Sequence, residues 1–473
     1  MDAVAAVDLG ATSGRVMIGY IGHNELSVRP VARFPNGPVE LGAGPHNGEL
    51  HWDITRLYAA VLDGLGAALR EERDILSIGV DSWAVDYALL KNGVRLGEVF
   101  HYRDERNARA AAALHERVSP VDLYAANGLQ YLPFNTLYQL CAESNLAAAD
   151  SFLLVPDLFD FWFTDRQVAE RTNASTTGLL NVATGQWDDA LIARLGLPRA
   201  LFPELVDAGS IVGSINAGTA REIGASGPIA VTAVGSHDTA SAIVAVPATG
   251  DDFAYISCGT WGLVGVELEN PVLSEASRLA NFTNEGGVDG RVRYLHNVMG
   301  LWLLSECVRE WERDGASIEL VGLLAAASRL DSSVALFDAN DQGFLAPGDM
   351  PARIATWCRD HDQPVPATRV EFVRSILESL AVAFAGAVAQ AAALSGKTVS
   401  VIHLVGGGSQ NELLCQLTAD RSGLPVRAGP VEATAIGNVL VQARAQQLVT
   451  GSLESLRALV AAAFSPKRYL PRG

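Results

Sequence analysis

The sequence predicts an α/β protein of two similar domains, each built on a mixed sheet, and three observations carry that expectation. A strand hairpin closed by a glycine and hydroxyl turn lies near the start, AVDLGATSGRVMIGY over residues 6–20, and another follows about half the chain later, AYISCGTWGLVGV over 254–266. Each hairpin is followed by a helical period that gives way to an apolar strand and a polar loop. The length, 473 residues, exceeds what one core usually organises at roughly 150 residues per domain.

In chain order, Ala6–Leu9 is the first buried strand. At the turn, Gly10 and Gly14 allow positive φ and close backbone approach, so amide N–H groups can face an anion. Thr12 and Ser13 add hydroxyl donors, Arg15 adds a charge, and Asp8 at the strand end suits hydrated Mg²⁺. The same stretch also reads as a tight hairpin with a solvated arginine. It matches neither a Walker loop nor a GxGxxG turn. Ile54, Leu57, Val61, Leu65 and Leu69 then mark a helix, and Ile75–Val80 a strand ending in the loop Asp81-Ser82-Trp83. A further strand, Ile229–Val234, runs into Gly235-Ser236-His237-Asp238-Thr239-Ala240-Ser241. Turn residues over Val246–Asp252 place the seam, dividing the chain into 1–246 and 247–473. After the second hairpin the plan repeats: Phe372, Ile376, Leu380, Phe384 and Val388 mark a helix, Val399–Val405 a strand, and Gly406-Gly407-Gly408-Ser409-Gln410-Asn411 the loop behind it.

Composition narrows the function. A formal net charge of −18 with no basic run argues against nucleic acid, so any phosphate ligand needs a local site. Five scattered cysteines without a CxxC pair read as reduced thiols of a cytoplasmic protein. The start lacks the basic and long apolar regions of a secretory signal, and no stretch of about 20 uncharged apolar residues suggests a membrane span.

The strongest candidate for catalysis is Asp238. An Asp behind such a strand can take the proton of a substrate hydroxyl that attacks phosphorus. Capping of the following helix by Asp238 or Thr239 is the competing explanation. His237 suits a hydroxyl-rich ligand, or is simply a hydrogen-bonded core residue. The segments Asp81-Ser82-Trp83-Ala84-Val85-Asp86-Tyr87, His101-Tyr102-Arg103-Asp104-Glu105-Arg106 and Pro133-Phe134-Asn135-Thr136 combine aromatic faces with polar forks, as carbohydrates require. Each of their aromatics can equally be core.

AVDLGATSGR, VDSWAVDY, YRDERN, LQYLPFNTLYQL, VPDLFDFW, TNASTTGLLN, GSHDTASA, SCGTWGLVG, NEGGVDGRVRYLHNVMGLWLL, HLVGGGSQNELL and GPVEATAIGN occur in the order and register of the FGGY carbohydrate kinases, which the chain resembles from about Val4 to Gln442. The resemblance implies two ribonuclease-H-like domains of the actin-like ATPase superfamily with an inter-domain cleft. It implies a kinase acting on a small ketose with ATP and Mg²⁺, and the segments NTLYQL and NEGG…NVMGLWLL direct the expectation to L-rhamnulose. L-Fuculose and L-xylulose are the alternatives; an actin-like ATPase or a sugar sensor without turnover is the reading from another class.

By the same resemblance Ala11, Thr12, Ser13, Gly14 and Arg15 form one ATP-phosphate turn and Asp8 positions Mg²⁺. His237, Asp238 and Thr239 contact sugar, with Asp238 the base. Thr260 reaches the ATP phosphates, Asn297 the substrate, and Gly406, Gly407 and Gly408 the adenosine. Two positions depart from the pattern. Ala84, at a sugar-contact position, stands where a glycine is expected and adds a methyl to the pocket; Ser305, at a nucleotide-contact position, stands where glutamine is often found and is shorter.

Overall fold

In a computed structural model, which describes residues 1–22, 25–41, 48–330 and 333–472, the first strand Asp2–Leu9 is buried along seven of its eight residues. Such a continuous apolar run suits a central strand covered on both faces. It pairs antiparallel with Ser13–Gly22 and parallel with Ile75–Ser82, in a register that sets Asp8 opposite both Arg15 and Asp81. The full order of this six-stranded mixed sheet is 211–214, 230–232, 75–82, 2–9, 13–22, 25–35. Helix Ile54–Glu71 makes the parallel crossover; Asp53 caps it by accepting from the Arg56 amide, and it buries Ile54, Leu57, Val61 and Leu65. A Cβ on its Gly64 would lie 2.6 Å from Val16 Cγ2, so the helix sits closer to the hairpin than any side chain there would allow.

The second sheet repeats this plan. Its hairpin, Phe253–Cys258 and Trp261–Leu268, is flanked by Val292–Met299 on one side and by the parallel strand Val401–Val405 on the other, followed by Val426–Ala428 and the antiparallel edge Lys467–Tyr469. The crossover is helix Arg369–Ser395, opened by a Thr368/Glu371 capping box. Again a glycine allows close packing, since a Cβ on Gly262 would lie 2.5 Å from Phe384 Cε1. This 27-residue helix is long and apolar enough to cross a membrane by length and composition, which the sequence reading did not anticipate. Its Ile376, Leu377, Leu380 and Phe384 are fully buried in the fold, so its apolarity serves the core.

The compact units follow the chain only in part. One comprises Met1–Thr249, Glu267–Tyr294 and Glu432–Phe464; the other comprises Gly250–Val266, Leu295–Val431 and Ser465–Gly473. The division at 246/247 read from turn residues is therefore a division of the sequence, while packing returns two later segments to the first unit. Buried polar pairs show why. Arg457 forks onto Glu267 at 2.8 Å through both terminal nitrogens, and Tyr124 and Tyr294 share the Ser277 hydroxyl, each at 2.6 Å.

Candidate active site

In the first unit three chain segments end at one edge of the sheet. Trp83 N donates to Leu9 O at 3.1 Å and Ser82 N to Ser236 O at 2.9 Å, so the residues around Asp8, Asp81 and His237 are tied together by backbone. The carboxyl ends of parallel strands are where open α/β sheets place ligands. Asp8 is 2 % exposed and Asp81 fully buried. Burial pushes Asp8 up to about 6 against the pull of Arg15, with Asp238 and Glu432 adding to the rise. Burial and the neighbouring Asp8 likewise hold Asp81 well above the carboxylate range.

The hairpin turn closes through Gly10 N donating to Ser13 O at 3.0 Å, and Asn36 ties it by donating to Thr12 O at 3.1 Å and Gly10 O at 2.8 Å. Thr12 stays exposed and Ala11 and Ser13 half-buried, so the turn presents its hydroxyl side chains outward. Neither Gly10 nor Gly14 adopts the positive φ expected from the sequence. Gly14 is instead required for space, because Phe34 of the paired strand occupies the place of a Cβ. Arg15 is no solvated cation: its Nε lies 3.0 Å from Asp8 Oδ2 and its Nη1 pairs with Glu432.

Asp238 is the first residue of the short helix Asp238–Val244, and no side chain caps that helix at His237. Capping, the competing explanation, therefore does not occupy Asp238. Its side chain is 31 % exposed, more open than Asp8 or Asp81, and its Oδ1 accepts from Thr239 Oγ1 at 3.1 Å and lies 3.4 Å from His237 Nε2. Arg293, fully buried, holds the other face of the imidazole: its Nη2 is 3.0 Å from His237 Nδ1, and its Nη1 is 3.1 Å from Glu285. Nδ1 also lies 3.4 Å from Glu285 Oε2, so Arg293 and Glu285 both face that nitrogen while Nε2 is turned toward Asp238.

A residue that sequence reasoning passed over fixes this loop. Glu170 Oε2 accepts from Ser236 N at 3.0 Å, Ser236 Oγ at 2.9 Å and Thr172 Oγ1 at 2.5 Å, while its Oε1 accepts from Thr172 N at 2.9 Å. Five-fold use of one buried carboxylate pins the residue next to His237; Asn173 N, at 3.3 Å, completes the set. Glu170 stands two residues before the TNASTTG run, and an acid close to a hydroxyl-rich turn was the only local signal.

The expected sugar cluster is largely an internal frame. Asp86 accepts from Trp52 Nε1 at 2.6 Å, Trp83 Nε1 at 3.0 Å, Tyr102 N at 3.2 Å and Gln139 Nε2 at 2.8 Å. Burial raises it to about 7 while these four donors pull the other way. Trp52 stacks on His101 with centroids 4.1 Å apart and Trp83 lies 4.0 Å from Trp52, all three being buried. Ala84, half-buried, is the open residue of this loop, and Val85 beside it has φ 69°, a strained conformation for a β-branched residue. Thr136 Oγ1, donating to Val85 O at 2.7 Å, holds it there.

In the second unit the Gly259–Thr260 turn is built into a helix start. Leu301 N donates to Gly259 O at 3.0 Å and Trp302 N to Thr260 O at 3.1 Å, opening helix Trp302–Arg313, on whose first turn Ser305 is exposed. Asn297, half-buried, lies on the strand before it. Gly406, with φ 81°, and Gly408 pack on Cys258, whose sulfur fills the space of a Cβ on Gly408. Thr260, Ser305 and the 406–408 loop thus belong to one constellation in this unit, and Asp8, residues 11–15, Ala84 and 237–239 to one in the other.

The donor set around Asp8 fits a hydrated divalent cation. Hard carboxylate oxygens are present, and Asp81 Oδ1 is buried without a hydrogen-bond partner. Among the described residues no group of three or more His, Cys, Asp or Glu forms a metal cage. One or two carboxylates suffice for Mg²⁺ that arrives with phosphates.

Comparison with known proteins identifies the family. The N-terminal domain of the FGGY family of carbohydrate kinases matches residues 4–245 and its C-terminal domain residues 254–446. The chain belongs to the FGGY family of carbohydrate kinases, and is a carbohydrate kinase. It is 39% identical to the rhamnulokinase of Bacteroides thetaiotaomicron over 99% of this chain and 95% of that protein. It is 41% identical to the rhamnulokinase of Pectobacterium atrosepticum over 99% and 93%. Among solved structures, the ligand-bound xylulose kinase of Lactobacillus acidophilus has a TM-score of 0.77 at 17% identity over 100% of this chain and 94% of that one. The glycerol kinase of Plasmodium falciparum with ADP has 0.77 at 15% over the same shares. These likenesses establish the fold, two α/β domains with mixed sheets.

Proposed function

We propose that the chain phosphorylates L-rhamnulose at its 1-hydroxyl with ATP as donor, in the cytoplasm. Asp238 carries the mechanism: it is half-open, has no capping duty, and is oriented by Thr239 and His237. As the sugar oxygen attacks the γ-phosphorus, Asp238 takes its proton, the new O–P bond forms and the bond to the leaving ADP breaks. Arg293 holds the imidazole with Nε2 toward the carboxylate, and Glu170 holds the loop beneath it. Ala11 to Arg15 and Thr260 are assigned to the ATP phosphates, Gly406 to Gly408 and Ser305 to the nucleotide, and Ala84, His237, Thr239 and Asn297 to the sugar. Asp8 would hold Mg²⁺, which when bound supplies positive charge to the transferring phosphoryl group. The choice of ketose rests on about 40% identity to rhamnulokinases along nearly the whole chain.

Two measurements test this. Asp238→Asn should lower turnover by about 10²–10⁴-fold with little change in ATP or sugar binding; a variant near the parent rate removes Asp238 as base. ADP release over a ketose panel should favour L-rhamnulose. Preference for L-fuculose or L-xylulose would replace the substrate, and sugar-independent ATP hydrolysis would replace the kinase reading.

A further inference from the structure

We propose that Asp81 is a second carboxylate for the divalent cation of the nucleotide, beside Asp8, and that Asn438 is the residue that positions it. This rests on the reading of the first unit as a site for metal–nucleotide.

Asp8 and Asp81 are register partners on adjacent parallel strands, so their side chains leave the same face of the sheet. On that face lies helix Ala433–Ala445, packed against the strand carrying Asp8. Its amides form a chain: Gln442 Nε2 donates to Ala5 O at 3.0 Å and to Asn438 Oδ1 at 2.6 Å. Asn438 Nδ2 donates in turn to Gly79 O at 3.1 Å and to Asp81 Oδ2 at 2.6 Å. Gly79 makes the room, because a Cβ there would lie 2.9 Å from both amide side chains.

The chain satisfies one oxygen of Asp81 and leaves the other. Asp81 Oδ1 has less than 1 Å² of exposed surface and no hydrogen-bond partner. An oxygen buried in this way is costly unless something arrives to satisfy it. The other charged groups around it are Asp8, Asp238 and Arg15, and Arg15 is already taken by Asp8 and Glu432. Asp8, Asp81 and Asp238 thus face one another around a single arginine that is itself paired with Asp8 and Glu432, and a hydrated cation would offset their mutual repulsion. Asn438 then acts as metal-site amides do, fixing the oxygen that does not face the metal.

The test uses Mn²⁺ as the probe, its free concentration followed by electron paramagnetic resonance, with the full chain saturated by ADP. Asp81→Asn should weaken Mn²⁺ binding in the ADP complex by about 10–100-fold, as loss of a metal-site carboxylate does, while ADP affinity in EDTA stays within about twofold. Asn438→Ala, which keeps Asp81 but frees it, should weaken Mn²⁺ by a smaller factor, and it carries the test alone if Asp81→Asn does not fold. Parent-like Mn²⁺ affinity in both variants overturns the assignment of Asp81 and leaves the nucleotide reading standing. No Mn²⁺-dependent ADP binding by the parent overturns both.

Discussion

Substituting Gly437 by alanine should damage catalysis through packing alone. Gly437 lies on helix Ala433–Ala445 where it crosses the helix that begins with Asp238, and a Cβ at this position would stand 1.8 Å from Ser241 O. Real Cβ atoms essentially never approach closer than 3.0 Å, so the helices must part by more than an ångström. The obstacle is backbone, which no rotamer change can move aside. Overpacking of this kind costs about 1–3 kcal/mol, and a shift of about 1 Å at a catalytic group costs roughly 10²-fold in rate. Gly437→Ala should therefore lower kcat about 100-fold in a coupled ADP assay and lower the melting temperature by about 1–3 °C. Gly386→Ala is the control: it lies exposed on helix Arg369–Ser395 with nothing within 4 Å of a new Cβ, and should stabilise by about 0.5–1 kcal/mol. A Gly437→Ala enzyme with kcat within threefold of the parent would refute the reasoning, because the crossing would then tolerate a side chain without moving Asp238.

Two further outcomes follow from the buried acids. Glu170→Gln keeps the shape but turns an NH₂ toward donors, so kcat should fall about tenfold or more while the KM for ATP moves less than twofold; unchanged kcat would mean that the Ser236 clamp does not set the Asp238 position. In the metal-free protein Asp8, raised to about 6, and Asp86, raised to about 7, keep their protons to a higher pH than the unfolded chain does, and burial pushes Asp157 and Asp160 in the same direction. Stability from a raised pKa is fully present below the unfolded value and lost as pH rises through the folded one, and self-repulsion of a net charge of −18 works in the same direction. Thermal melts should give a higher midpoint at pH 5.5 than at pH 8; a flat or rising profile would contradict this.

What was legible in the sequence was local. The duplicated hairpin, the helix behind it and the parallel strand that follows are written in periodicity, and both sheets carry them in the same order. Asp8 and Asp238 stood out because an acid after an apolar strand is conspicuous, and the fold brings the two near enough to interact. Gly14 shows where local reading misleads: its glycine answers Phe34 on the next strand rather than a demand on φ. The strained Val85 was hidden because Thr136, 51 residues away, holds it. Asp86 fell inside a stretch read as part of a sugar cluster, because nothing near it in sequence announces that two indoles, an amide side chain and a backbone amide already claim it.

The least legible part is the short stretch Ile436-Gly437-Asn438. By family it falls in the C-terminal domain, yet it packs in the first unit, 357 residues from the Asp81 that it contacts. Its two functional residues work only as a pair. Without a side chain at Gly437 the helix closes onto Ser241, and that closeness belongs to the same seating that brings the next residue's amide within 2.6 Å of Asp81. An asparagine has short reach, so a helix pushed outward by an ångström would leave Asp81 with neither oxygen satisfied. The glycine thus sets a distance and the asparagine uses it, and no reading of either residue alone could have joined the helix of Asp238 to the carboxylate beside Asp8.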